Sequence, residues 1–203
     1  RKRKKWKKNR EITYKGSLVH FYKSVINNSF TKEGFIVNQF KRIPNPDRPS
    51  EKEIKKAREL LRLNKSLVIN FSKKIKKPKT ALDSALVILR KSRAEKFRDY
   101  LYKSKLTKED ILTQNKNRFF LTFKDNLSIL YTKEKEEEGY LKRNPFRKKK
   151  ETGVQSSAIV PIKKPLILDK RGVLIQPLSV LYEGYWSYEK FAHALPLDYE
   201  PTY

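Results

Sequence analysis

Arg118-Phe-Phe-Leu-Thr-Phe-Lys-Asp-Asn-Leu-Ser-Ile-Leu-Tyr-Thr-Lys133 carries the clearest secondary-structure signal in the chain. Phe119, Leu121 and Phe123 share one face at a period of two, and Leu127, Ile129 and Tyr131 do the same beyond Asp125–Asn126. That alternation is the mark of a half-buried strand, and Asp125–Asn126 is a two-residue turn able to take positive φ. The segment therefore predicts two antiparallel strands, 118–124 and 127–133, paired with each other and burying Phe119 and Phe123.

Downstream the pattern stays β-rich. Ser157 to Ile162, Leu166–Leu168 and Val173–Ile175 read as strands, separated by Pro161, Pro165 and the Asp169-Lys-Arg-Gly172 turn. Tyr182-Glu-Gly-Tyr-Trp-Ser-Tyr188 reads as an aromatic segment buried against that sheet, with an exposed stacking platform for bases or sugars as the alternative. Glu189 to Leu195 reads as a short helix stopped by Pro196. Glu134 to Glu138, the one concentrated acidic patch, reads as a flexible loop; its adjacent carboxylates lack the spaced oxygen ligands of a dedicated cation site.

Upstream, helical spacing takes over. Leu18, Phe21, Tyr22 and Val25 form a three- and four-residue stripe starting at Gly16–Ser17, with Asn27–Asn28 and Gly34 bracketing the exit and a short strand from Phe35 to Lys41. Three prolines in Ile43-Pro-Asn-Pro-Asp-Arg-Pro49 make a rigid surface linker. Ser50-Glu-Lys-Glu53 is a capping box opening a helix that buries Ile54, Ala57, Leu60 and Leu61, and Thr107-Lys-Glu-Asp110 repeats the logic. Leu67 to Phe71 reads as a strand, Lys73 to Lys79 as a lysine-rich loop, 80–91 as a helix, and Phe97, Tyr100 and Leu101 as a further helical spacing. The sum is an α+β fold of mixed helices and antiparallel β segments with a β-richer C-terminal half. It divides into a basic segment 1–15, a mixed portion 16–112 and a β-rich portion 113–203, the last two separate or one continuous domain.

Composition narrows the chemistry. Apolar residues are 37% of the chain and charged residues 35%, against about 45–50% and 25% in ordinary domains. An aromatic share of 12% still supplies a core, which disordered chains lack. There is no cysteine, so thiolate catalysis, disulfides and Cys-ligated metals are excluded. There is no methionine either, as expected of a piece of a larger protein from which a signal peptide could have been removed. No apolar run approaches the roughly 18 residues of a membrane helix, and the strand periodicity is too scattered for a transmembrane barrel.

The formal charge of +27 draws anions at long range, or it is a lysine-rich background with no polyanion ligand. The candidate polyanion contacts are the basic side chains of residues 1–10, namely Arg1, Lys2, Arg3, Lys4, Lys5, Lys7, Lys8 and Arg10, and the run Arg147, Lys148, Lys149 and Lys150. The first group, interrupted by Trp6 and Asn9, fits a nucleic-acid arm, a membrane-surface anchor with Trp6 among headgroups, or a solvated start frayed by self-repulsion. The only histidines are His20, on the helical stripe beside Phe21, and His193, between alanines, and each reads as structural. There is no HExxH, phosphate-cradling glycine loop or nucleophile elbow. No catalytic, cofactor-binding or metal-binding residue emerges, so the chain reads as a non-enzyme without cofactors.

Trp6-Lys-Lys-Asn-Arg10, Tyr14-Lys-Gly-Ser17, His20-Phe21-Tyr22-Lys23-Ser24 and Glu33-Gly-Phe35 at one end, with Gly184-Tyr-Trp186 and Leu195-Pro-Leu-Asp-Tyr-Glu-Pro201 at the other, resemble a segment of Bacteroidota proteins called carboxypeptidase-like regulatory domain-containing proteins. That segment lies downstream of their regulatory domain. The resemblance implies an exported envelope protein at the periplasm or outer-membrane periphery, with a binding or scaffolding role and no peptidase activity. The expected partners are envelope proteins, anionic lipid headgroups or glycans. The alternative is a basic, cytoplasmic nucleic-acid-binding protein. The resemblance carries no catalytic residues, and it makes His20 a structural pivot.

Overall fold

The computed structural model describes residues 2–64, 75, 77–143, 153–189, 195, 199 and 201. The strand expected over 67–71, part of the 73–79 loop, Arg1, the run 147–150, His193 and most of the expected 189–195 helix lie outside the described residues. Among those described, the chain is α+β, with seven α-helices and eight strands in two antiparallel sheets. Six of the eight strands fall between Leu112 and Gly184, which makes the C-terminal half the β-richer one. The chain forms two compact units, Arg1–Lys41 with Leu101–Tyr203, and Arg42–Tyr100.

The first unit begins with α1 (Lys2–Tyr14) and α2 (Leu18–Ile26). The hydroxyl of Ser17 caps α2 by accepting from the His20 N–H, satisfying one of the orphan donors of the first turn. The stripe is as expected: Phe21, Tyr22 and Val25 are buried with His20 and Ser24. Asn27 ends the helix and Asn28 takes a φ of 58°, leading into β1 (Phe35–Pro44), three residues longer than its alternation predicted.

The five-stranded sheet has the order β2-β1-β5-β6-β8, formed by β2 (Phe97–Lys103), β5 (Asn126–Lys135), β6 (Val154–Pro161) and β8 (Val180–Gly184) around β1. Register places Phe35 opposite Tyr131, Val37 opposite Ile129 and Leu127 opposite Ile159. These residues are nearly inaccessible and pack on Phe21 and Val25 of α2. Each such side chain contributes about 1.5–3 kcal/mol of transfer free energy, and the same core continues into Ile111, Leu121, Leu166 and Leu168 beyond this sheet.

The second sheet, of order β3-β4-β7, corrects the expected hairpin. It contains β3 (Leu112–Asn115), β4 (Arg118–Leu121) and β7 (Leu166–Leu168). Strands stand on both sides of Asp125, the first ending at Leu121 rather than at residue 124, and Phe119 and Phe123 are buried. They do not pair with each other: β4 pairs with β3 and β7, and β5 with β1 and β6. The local hairpin closes earlier, at Lys116–Asn117, where Lys116 takes a φ of 51°. Carbonyls between the sheets find tertiary donors instead. Lys164 Nζ donates to the carbonyls of Phe123 at 2.8 Å and Asp125 at 3.2 Å, and Gln39 Nε2 to that of Lys124 at 2.7 Å.

The basic start is helical, as α1. Three further expectations are corrected. Phe97, Tyr100 and Leu101 lie on β2 rather than a helix; aromatic residues suit a strand, and pairing in the sheet overrides the spacing. Val173–Ile175 makes only an isolated bridge between Leu174 and Leu168, because the Asp169 carboxylate accepts the N–H groups of Arg171 and Val173 and holds the chain in a turn. The acidic patch is not a loop throughout: Glu134 and Lys135 end β5, and Glu138 opens α6 (Glu138–Lys142).

In the second unit, α3 (Glu51–Leu63) and α4 (Ala81–Lys91) are each opened by a capping box, Ser50 with Glu53 and Thr80 with Asp83. Ile54 and Ala57 are buried, while Leu60 and Leu61 are half-buried. Buried Asn45 ties the two ends of the unit together, donating from its amide and its side chain to the carbonyls of Lys96 and Glu95. Back in the first unit, Thr107 and Asp110 form the expected box on α5 (Lys108–Ile111).

Candidate functional site

Residues of three of the four N-terminal motifs, those at 14–17, 20–24 and 33–35, converge in space with the Gly184-Tyr-Trp186 motif. Gly16, with a φ of 73°, turns the chain between α1 and α2 and presents both of its peptide groups inward. Its N–H donates to His20 Nδ1 at 3.0 Å, and its carbonyl accepts from Trp186 Nε1 at 2.8 Å. Trp186 stands on α7 (Tyr185–Tyr188), and its own N–H donates to Ser157 Oγ of β6 at 3.1 Å. Because Nδ1 of His20 accepts, its ring proton is on Nε2, which donates to the Glu33 carboxylate; the other carboxylate oxygen accepts from Ser29. Tyr14, Phe35 and Tyr131 wall the imidazole at centroid distances of 4.8–5.9 Å.

This network borders a cavity of about 690 Å³ lined by Tyr14, Lys15, Lys23, Glu33, Lys133 and Glu134, among others. Lys23 Nζ donates to the Tyr199 carbonyl at 2.7 Å. The chemistry open to the cavity follows from the hydrogen bonds. A general base needs a free imidazole lone pair, and the one on His20 is committed to a backbone N–H. Ser29 touches the carboxylate rather than the imidazole, the reverse of a serine triad, in which the imidazole stands between hydroxyl and acid. The arrangement locks three chain segments together and leaves the network without an activated nucleophile among the described residues. Among the same residues no group of three His, Asp or Glu could hold a metal ion.

Electrostatics follow burial. Desolvation lowers the His20 pKa below its ordinary 6.5, a shift that the Glu33 carboxylate opposes and Lys133 and Lys15 reinforce. On a neighbouring edge, Glu189 is pushed up to about 7, first by burial and then by the carboxylates of Glu134 and Glu137. Burial likewise raises Glu134, and Tyr185 is raised by burial and then by nearby carboxylates, Glu137 first.

These shifts set opposite pH dependences. The folded state holds a proton on Glu189 that the unfolded chain loses above about 4.5, so its contribution is full below that pH and is lost as pH rises through about 7. The folded state keeps His20 neutral, so its contribution is present above 6.5 and fades as pH falls below that. Stability is therefore expected to fall between about pH 5 and 8 by on the order of 2 kcal/mol through Glu189. Glu189→Gln should flatten that decline, and a His20→Gln chain should lose less stability than the parent on acidification below about pH 6.5. Urea midpoints at about pH 5, 6.5 and 8 provide the check.

Of the residues expected to contact a polyanion, Lys2, Arg3, Lys4, Lys5, Lys7, Lys8 and Arg10 are brought together on α1, all of them exposed. Arg1 and the run 147–150 lie outside the described residues. Sequence reading found His20 and missed the roles of Glu33, Gly16 and Glu189; the first two stand in the quoted motifs, and nothing local marked Glu189. No family model, no curated protein and no solved structure matches this chain.

Proposed function

We propose that this chain is a non-enzymatic binding or scaffolding module of an exported envelope protein. The observation that supports it most is the convergence just described: residues of the motifs resembling that envelope family meet at Gly16, His20, Glu33 and Trp186, where their polar groups hold one another. Motifs that serve catalysis would leave a reactive atom facing the cavity, whereas these spend both imidazole nitrogens on structure. The partners in this reading are envelope proteins, anionic lipid headgroups or glycans.

The basic nucleic-acid-binding alternative draws on one specific feature, the exposed cationic α1. Fractionation of cells carrying the full-length protein separates the two readings. Recovery with the envelope fraction is the expected result; recovery in the cytosol, associated with nuclease-sensitive material, overturns it. The non-enzymatic half of the proposal carries its own check. Purified protein should contain no stoichiometric zinc, iron or copper, since two histidines and no cysteine supply too few borderline ligands. A one-to-one metal content lost with His20→Ala would reverse that conclusion.

A further inference from the structure

Helix α1 has no buried face. Every residue from Lys2 to Arg10 is exposed, and Tyr14 is the only buried residue of the helix. Most helical stability in proteins comes from packing, and a 13-residue helix without it is marginal in water. Its charges make matters worse. Arg3 and Lys7, and Lys4 and Lys8, are like-charged pairs four residues apart, each destabilising by a few tenths of a kcal/mol. Against them stands the pair of Lys7 with Glu11, at 4.0 Å. A counter-charge along α1 would therefore stabilise it.

The angular distribution of the charge indicates what shape that counter-charge has. At about 100° per residue, the seven Lys and Arg side chains between Lys2 and Arg10 leave no arc wider than about 80° uncharged. Trp6, 59% exposed, sits in the middle of the widest gap. A bilayer surface meets one face of a helix, and helices that lie in it divide into an apolar and a basic side. Charge on all sides fits a chain that wraps the helix. Five of the seven cations are lysines, mobile point charges without the planar fork that reads bases or clamps phosphate.

We propose that α1 is a docking element for a linear anionic polysaccharide, which completes the helix by neutralising it on several sides while Trp6 stacks on a sugar ring. The choice of a glycan over a nucleic acid rests on the envelope reading above; fractionation tests that reading, and direct binding tests this one.

The probe is heparin, a linear sulfated polysaccharide, with duplex DNA and phosphatidylglycerol vesicles as the other arms. Hydrogen exchange on the intact chain should show residues 2–13 weakly protected alone and strongly protected with heparin, with binding that weakens steeply as salt rises. Lys4→Glu separates helix stability from binding. It turns a repulsive pair into a carboxylate facing Lys8 in the favourable order, so protection without ligand should rise while heparin affinity falls on the order of tenfold at low salt. Trp6→Leu should weaken heparin binding and leave its salt dependence unchanged. Protection unaltered by heparin overturns the proposal, as does equal ordering by the vesicles. Tighter binding to duplex DNA than to heparin at equal charge concentration replaces the glycan with a nucleic acid.

Discussion

Gly184→Ala is expected to destabilise the folded chain by at least about 3 kcal/mol, enough to leave a domain of ordinary stability largely unfolded at about 37 °C. Gly184 ends β8 and immediately precedes α7, with φ 76° and ψ −137°, a conformation essentially reserved for glycine. A Cβ there would overlap the Ser156 carbonyl oxygen and stand 3.0 Å from Ser157 Cα. Both atoms are backbone of β6, which β5 holds in register from the other side, so neither can retreat cheaply. Gly153→Ala is the matched control: its nearest neighbour is the Glu136 carboxylate at 3.8 Å, and its stability from urea unfolding should stay within about 0.5 kcal/mol of the parent. A Gly184→Ala midpoint equal to the control would mean that the β6–β8 register is not the one described.

Trp186→Ala should cost about 3–5 kcal/mol. The indole packs on Phe21 at a centroid distance of 5.5 Å and on Tyr182 at 6.2 Å, and its removal also strips the Gly16 carbonyl of a donor in a buried place. Trp186→Phe divides the two losses. It keeps most of the ring volume and removes the donor, and should cost about 1–3 kcal/mol. The His20 ring lies one peptide group away from that carbonyl, so an NMR titration of His20 should shift in both variants. Stability losses without any change at His20 would show that Trp186 fills space only and does not hold the Gly16 turn.

What could be read from the sequence was whatever is settled within about four residues. The α2 stripe, the Ser50–Glu53 and Thr107–Asp110 boxes, and the Asp169 turn all depend on contacts between near neighbours, and residue types at those spacings determine them. The period-two runs on either side of Asp125 correctly gave two strands and their buried faces. Alternation states which face of a strand is buried and says nothing about which strand lies beside it. The partners lie far away in sequence, β7 for the first strand and β1 and β6 for the second, and where the chain crosses between the sheets Lys164 and Gln39 supply donors to the carbonyls of residues 123–125. Phe97 to Leu101 failed for a related reason: its spacing fits a helix equally well, and the sheet decided. At the site, His20 read as structural from its place on an apolar helix. Its carboxylate partner is 13 residues away, a distance at which no periodicity reports.

The Arg42–Tyr100 unit interrupts the chain of the other, and this bears on the order in which the protein folds. Pairing β1 with β5 joins Phe35 to Tyr131, and the loop between them is roughly a hundred residues, the kind of non-local closure that slows folding. The interrupting unit brings its own ends together: Arg42 grips Asp99 through two nitrogens at 2.8 and 3.1 Å, and Asn45 holds Glu95 and Lys96. Once that local structure forms, it acts as a clasp, and the loop left for β1 and β5 to close shrinks to something under half its length. The entropy recovered is about 1 kcal/mol, all of it on the folding rate if the clasp forms before the sheet. If the bidentate pair between Arg42 and Asp99 is already formed in that clasp, whatever it contributes to the finished fold also appears in the rate at which the sheet is reached.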